Sequence, residues 1–176
     1  MTVMGNARSM WILGRGGFLG TAIAREAARG GYSVFPQKTI PWNSPSQREN
    51  ALKATAEEFS VFTRDTAPTI IWAAGSEGVA ISSSHLASES DSFQDFVHIL
   101  TQIDTLMGAT VVIVSSAGGV FSGSPTPPFS VDSTVQAINE YGRNKIAIED
   151  LAVAELTSQY RVLVARITNL YGPWPG

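Results

Sequence analysis

A doubly wound parallel α/β sheet, with helices on both faces, is what this sequence predicts, and three observations predict it. Short apolar runs alternate with longer helix-forming stretches along the whole chain. The runs are continuous rather than alternating in polarity, as strands are when both faces of a sheet are covered. A length of 176 residues, 44% hydrophobic and 15% charged, suits one domain with a sizeable core.

The elements follow in order. "SMWIL" reads as a buried strand, and Phe18 to Arg29 is rich in good helix formers. Gly30-Gly31 is a helix stop. "YSVF" is a second strand, and "TIPW" a short third one that Pro41 confines to an edge. Pro45 and Ser46 open a helix from about Gln47 to Asp65, with Leu52, Phe59 and Phe62 at helical spacing. "TIIWAAG", Thr69 to Gly75, is the next strand, followed by a Ser/Gly-rich loop. Ser92 to Met107 reads as an amphipathic helix. "TVVIVSS", Thr110 to Ser116, is the fifth strand. The stretch "GGVFSGSPTPPFSVDS" is a long loop of the kind that is usually functional or disordered. Asn139 to Gln159 is helical, and "RVLVARI" is the last strand. Right-handed crossovers turn this order into a Rossmann-like sheet.

Several function classes are disfavoured at once. A net charge of −3 leaves no basic footprint for nucleic acid. The absence of cysteine removes disulfides and thiolate metal sites, and two histidines make a histidine-rich metal site improbable. No apolar run reaches the roughly 18 residues of a membrane span, and the N-terminus lacks the marks of a secretory signal. The expected location is therefore the cytoplasm.

Two constellations carry chemistry. The first is "WILGRGGFLG": Gly14, Gly17 and Gly20 leave a strand and open a helix. That setting is what a dinucleotide fingerprint needs, for a tight turn, for close approach of a pyrophosphate and for close helix–strand packing. The helix N-terminus adds free N–H groups and the positive end of a dipole. The spacing is G-x-x-G-x-x-G, and Gly16 is extra to it. The second is "YGRNK", which sets Tyr141 and Lys145 on one helix face. An ammonium favours the phenolate of a neighbouring tyrosine, and a phenol so tuned can exchange a proton with a substrate oxygen. Ser115 and Ser116 end a strand upstream, where the ligand crevice of an open α/β sheet lies.

With "GRGGFLG", "IIWAAG", "VVIVSSAGGVFSG", "YGRNKIAIE" and "RITNLYGP" in hand, the chain resembles the extended short-chain dehydrogenase/reductases. Within them it is most similar to the NAD-dependent epimerase/dehydratase family of nucleotide-sugar enzymes. The resemblance implies that Tyr141 is the general acid/base on a sugar hydroxyl while hydride moves between the sugar carbon and nicotinamide. It implies that Lys145 holds the nicotinamide ribose and that Ser116 bonds the reacting oxygen, with Ser115 as the alternative. Cofactor contacts would come from Gly14, Arg15, Gly17, Phe18, Leu19 and Gly20, from Ala73, Ala74 and Gly75, and from Tyr141 and Lys145.

The cofactor is NAD or NADP. The acidic residue usual after the second strand is missing from "VFPQK". Arg15 and Lys38 either pair with a 2′-phosphate or are solvated surface charges. The tyrosine usual in the serine segment is Phe121 here. Residues 1–176 read as one NAD(P)-binding domain, and the C-terminal part that grips the nucleotide-sugar in relatives is expected to be absent. A chain without it would bind cofactor yet turn over little. Relatives are often dimers, so a homodimer is compatible with this reading.

The leading expectation is an NAD(P)-dependent nucleotide-sugar epimerase or dehydratase. An NADP-dependent carbonyl reductase of the same fold and a non-catalytic dinucleotide-binding protein are the alternatives. His98 reads as a packed or partly exposed helix residue, and Trp42, Trp72 and Trp174 as core or contact aromatics. Glu57, Glu58, Asp65, Glu149 and Asp150 read as solvated helix faces.

Overall fold

The structure, a computed structural model, describes residues 8–64, 66–75 and 82–172. Asp65, Trp174 and most of the loop after the "TIIWAAG" strand lie outside the described residues. Five strands form one parallel sheet: β1 (Arg8–Leu13), β2 (Tyr32–Val34), β3 (Ala67–Trp72), β4 (Thr110–Ser116) and β5 (Arg161–Ile167). Their order is β2-β1-β3-β4-β5. The winding reverses beside β1, so a switch point opens between the carboxyl ends of β1 and β3, where Leu13 pairs with Trp72.

Helices α2 (Pro45–Phe62), α3 (Ser83–Leu100) and α5 (Glu140–Leu156) cover one face, and α1 (Phe18–Arg29) covers β1 and β2 on the other. The pleat divides β1 between them. Trp11 and Leu13 point into the larger core with Leu52, Phe59, Phe93 and Phe96, while Met10 and Ile12 meet Ala24 and Ala27 of α1. The larger core is strongly aromatic, with Trp72 against Phe96 at 4.9 Å and Phe93 at 5.1 Å between ring centroids.

The predicted fold class and the strand from Thr110 to Ser116 are as observed, but three expectations need correction. "TIPW" forms no strand, and the Thr110 strand is the fourth. After Phe35 the chain bends through tight turns, Gln37 N–H to Phe35 O and Trp42 N–H to Ile40 O, which bury Ile40 instead of pairing it. The helix expected over 92–107 spans Ser83–Leu100. Its serine-rich first turns look like loop, yet Leu86, Glu89 and Phe93 already keep a buried helical stripe. Beyond Thr101 the chain turns through a short 3₁₀ segment, Asp104–Leu106, which brings Leu106 back into the core. The long loop after β4 begins with one helical turn, α4 (Ala117–Val120).

Tyr160 ties the end of α3 to the start of β5. It is buried and donates its hydroxyl to the Leu100 carbonyl at 2.7 Å. Burial, and secondarily the charge of Asp104, push its phenol up from 10.0 to about 12. A group raised in the folded state contributes fully while both states are protonated, here below pH 10, and that contribution is lost as pH rises through about 12. Tyr160→Phe is expected to lose about 1 kcal/mol, seen as a melting temperature about 2–4 °C lower at neutral pH. The variant should also show a shallower loss of stability between pH 10 and 12 in alkaline melts than the parent chain.

Candidate functional site

A cavity of about 990 Å³ opens at the carboxyl ends of β1, β3, β4 and β5. The glycine loop forms one wall. Gly14 sits at φ +86°, and a Cβ there would lie 2.5 Å from the Ala73 carbonyl oxygen and 2.6 Å from the Ala74 nitrogen. Only glycine fits a left-handed turn pressed against the end of β3. Gly17 N–H closes the turn on Gly14 O at 3.0 Å and caps α1 without any side-chain cap. A Cβ on Gly20 would overlap the Gly14 carbonyl, so α1 packs directly on the loop backbone. Gly16 has nothing within 4 Å and leaves open space. The first turn of α1 carries no acidic residue, so its N–H groups and dipole face the cavity unopposed by charge.

Phe18, Leu19, Ala73, Ala74 and Gly75 join this wall. Arg15 lies outside the cavity lining, but its guanidinium donates to Phe35 O at 3.4 Å, just beyond the end of β2. The structure does not bring Lys38 to the cavity: its side chain is 84% exposed and pairs with Glu58 at 3.3 Å.

The opposite wall is one face of α5. Asn139 caps this helix by accepting from Gly142 N–H at 2.7 Å, and Gly142 lies against the backbone of Gly119, so α4 and α5 are in close contact. Tyr141 and Lys145 line the cavity, with Lys145 Nζ 5.4 Å from the Tyr141 ring centroid. Lys145 is buried and donates to Glu89 Oε1 of α3 at 2.5 Å. Both serines line the cavity, and their hydroxyls differ in what they bond. Ser116 accepts from Gly119 N–H at 3.2 Å as the cap of α4. Ser115 is buried and its hydroxyl donates to Glu149 at 2.5 Å.

Glu149 corrects an expectation. It is buried rather than solvated, and Arg166 of β5 clamps it with Nε at 3.1 Å and Nη2 at 2.7 Å from Oε2. Arg166 in turn lies over the Phe121 ring at 5.3 Å. The spacing Tyr141, Lys145, Glu149 is i, i+4, i+8, so the helical face that revealed the first two also contained the third. Glu89 had a fainter signal, a carboxylate inside the buried stripe of Leu86, Phe93 and Leu100. Trp72 is a core aromatic as expected, but with Trp42 it also lines the cavity, and its indole N–H is buried with no partner among the described residues.

Residues 8–175 match the family model described as the RmlD substrate binding domain. The chain belongs to that family. None of the curated proteins compared with it matches the chain. Among solved structures it is similar to RMD from Pseudomonas aeruginosa complexed with NADPH, at 20% identity and a TM-score of 0.74, over 95% of this chain and 56% of that one. It is similar to dTDP-4-dehydrorhamnose reductase from Bacillus anthracis in complex with NADP, at 20% identity and a TM-score of 0.71, over 99% and 58%. A third is the UDP-glucose 4-epimerase of Thermus thermophilus in complex with NAD, at 16% identity and a TM-score of 0.70, over 94% and 56%. At these identities the likeness speaks for the fold, and this RmlD-family chain spans a little over half the length of each neighbour.

Removing one partner from a buried ion pair leaves the other charge uncompensated. Glu149→Ala is therefore expected to lower unfolding stability by about 3 kcal/mol, since Arg166 keeps a quarter of its side chain in water. The double change Glu149→Met with Arg166→Met should recover most of that loss in urea denaturation.

Proposed function

We propose that this chain is the nicotinamide-cofactor part of an enzyme that moves a hydride and a proton at a carbon of a nucleotide-sugar. The observation that carries the reading is the convergence of the glycine loop, Ser116, Tyr141 and Lys145 on one cavity at the switch point of the sheet. The cradle suits a dinucleotide. Its turn is stripped of side chains where a Cβ would collide with β3, and the α1 N-terminus offers uncapped N–H groups for a pyrophosphate. When bound, nicotinamide would supply or accept the hydride.

Each residue then has a task in keeping with its position. Tyr141 exchanges the proton with the sugar oxygen, and its ring packs so close to Gly119 that a Cβ there would meet it. Ser116 offers its hydroxyl to the same oxygen, because the Ser115 proton is committed to Glu149. Lys145 sets its ammonium beside the Tyr141 ring on the same cavity wall, where it can hold a cofactor hydroxyl. The nucleotide-sugar class follows from the neighbours, which include a dehydrorhamnose reductase, a UDP-glucose epimerase and an NDP-hexosamine dehydratase.

Within this reading, one observation favours NADPH and a reductase. No acidic side chain stands in "VFPQK" after β2, and the Arg15 guanidinium lies at that strand end. A guanidinium suits a 2′-phosphate, which a carboxylate would repel.

Mass action supplies the test. A cofactor at about a hundred times its Kd should stabilise the chain by about 2.7 kcal/mol, and so raise its melting temperature by several degrees. No rise with NADPH, NADP, NADH or NAD at millimolar concentration would falsify the cofactor reading. Arg15→Ala should weaken NADPH about tenfold, the worth of one charged hydrogen bond, while leaving NADH unchanged. Equal losses for both would remove the 2′-phosphate role. In the protein that carries turnover, Tyr141→Phe should abolish it and leave cofactor affinity within about twofold.

A further inference from the structure

Between β2 and α2 the chain runs from Phe35 to Ser44 with neither helix nor strand, yet Trp42 and Asn43 of that stretch line the cavity. A coil that forms the wall of a ligand site must be held by something other than a backbone ladder. Three kinds of contact hold this one. Tight turns close it, Trp42 N–H on Ile40 O at 3.0 Å and Ser44 N–H on Pro41 O at 3.1 Å. Apolar packing anchors it: Ile40 is buried, and the Trp42 ring meets Trp72 of β3 edge-on, with ring centroids 5.8 Å apart. The third contact is a charge. Arg48, in the first turn of α2, donates from Nη1 to the Trp42 carbonyl at 3.3 Å. Its Nε and Nη2 each lie 2.8 Å from Oδ2 of Asp95 on α3.

Arg48 is 3% exposed. Taking a guanidinium out of water gains little stability, because desolvation offsets the attraction of its partner. What such a group contributes is direction. Its planar fork gives two N–H groups to one carboxylate and aims a third at a carbonyl. Here the carboxylate belongs to a long helix of the core and the carbonyl to the coil on the cavity wall.

We propose that Arg48 is a positioning residue, which ties the Trp42–Asn43 wall to α3 and so shapes the end of the cavity that takes the adenosine half of the dinucleotide. The inference rests on the cofactor reading, and the end in question follows from the strand order. Ser116 sets the reacting end over β4, and the head of α1 sets the pyrophosphate beside β1. A dinucleotide laid along that line continues toward β2 and the stretch after it. Arg15 reaches the start of the same stretch at Phe35 O. A loosened wall would have to be ordered at each binding event, and that ordering is subtracted from affinity.

The double change Arg48→Met with Asp95→Asn tests this, because it removes both charges together and leaves neither buried alone. Amide hydrogen exchange of the chain without cofactor reads the wall. Exchange in residues 40–44 should rise about tenfold, while that of β1 and β3 stays within about twofold of the parent, as a merely global loss of stability would not allow. Calorimetric titration reads the site. The Kd of the nicotinamide cofactor that the parent binds best, and that of ADP, should both rise about fivefold. Parent-like exchange in 40–44 overturns the proposal, as does faster exchange there with the cofactor Kd unmoved. A weaker cofactor with ADP unmoved also overturns it, because the wall would then serve another part of the ligand. Should the double variant not fold, as judged by circular dichroism, Arg48→Lys decides. Lysine keeps a charge opposite Asp95 but lacks the fork, so 40–44 should again exchange faster and both Kd values rise. Parent-like exchange or parent-like Kd values in that variant overturn the proposal. A parent chain that binds none of NADPH, NADP, NADH and NAD sinks the functional reading and takes this inference with it. A parent that binds, with a variant that matches it, sinks this inference alone.

Discussion

Two ion pairs drawn largely out of water hold the centre of this molecule, and both begin on one face of α5. Lys145 reaches across to Glu89 of α3, and Glu149 reaches back to Arg166 of β5 and Ser115 of β4. Such pairs contribute little net stability, because desolvation offsets most of their attraction. What they impose is geometry. A buried charge must meet its partner, so α5 cannot slide or rotate against the sheet without breaking both contacts. Tyr141 lies one turn from Lys145 on the same face, and its place over the cavity is a consequence of that constraint. The apolar residues Ile148, Ala152 and Leu156 of α5 supply the burial, and the charged ones supply the register.

A second constraint meets the first across the cavity. The turn at Gly14 touches the end of β3 so closely that no side chain can intervene, and Gly20 brings α1 onto that same turn. The end of β3 then presses through Gly75 on Glu89 and Lys145. Backbone contact therefore links the loop at the head of α1 to the ion pair on α5, through one short strand end. The walls of the cavity are set by packing that leaves little slack.

Much of this was legible in the sequence, and what was not has physical reasons. Continuous apolar runs identified β1, β3, β4 and β5, the first three because their buried residues leave an apolar composition and β5 because its run is apolar although no residue of it is fully buried. The glycine loop was legible because Gly14 and Gly20 are demanded by local geometry, and Tyr141 and Lys145 because a four-residue spacing sets them on one helix face. "TIPW" misled because its composition suits a strand, whereas Pro41 and the turns around it give Ile40 a buried place without pairing. The start of α3 was hidden because serines that favour caps and turns lie inside a helix stabilised by its packed face. Glu149 and Glu89 were hidden for a different reason. A carboxylate on a helix is solvated by default, and only tertiary structure brings Arg166 and Lys145 within reach. Arg15 and Lys38 look equivalent in the sequence, yet one turns toward the end of β2 and the other pairs with Glu58 in solvent.

The charge balance of the cavity follows from these pairs. Lys145 is matched by Glu89, and Arg166 by Glu149, so the interior cations are largely neutralised. The chain as a whole carries a net charge of −3. An anionic dinucleotide would therefore find little long-range attraction here. Its pyrophosphate would be held by the uncapped N–H groups and the dipole at the head of α1, which act only within a turn of the helix. Short-range donors of that kind select by shape and by hydrogen-bond geometry, not by charge alone. The exception is Arg15, whose guanidinium stands near a strand end with no carboxylate in the "VFPQK" segment. On the proposed reading, the choice between two cofactors that differ by one phosphate would fall to Arg15.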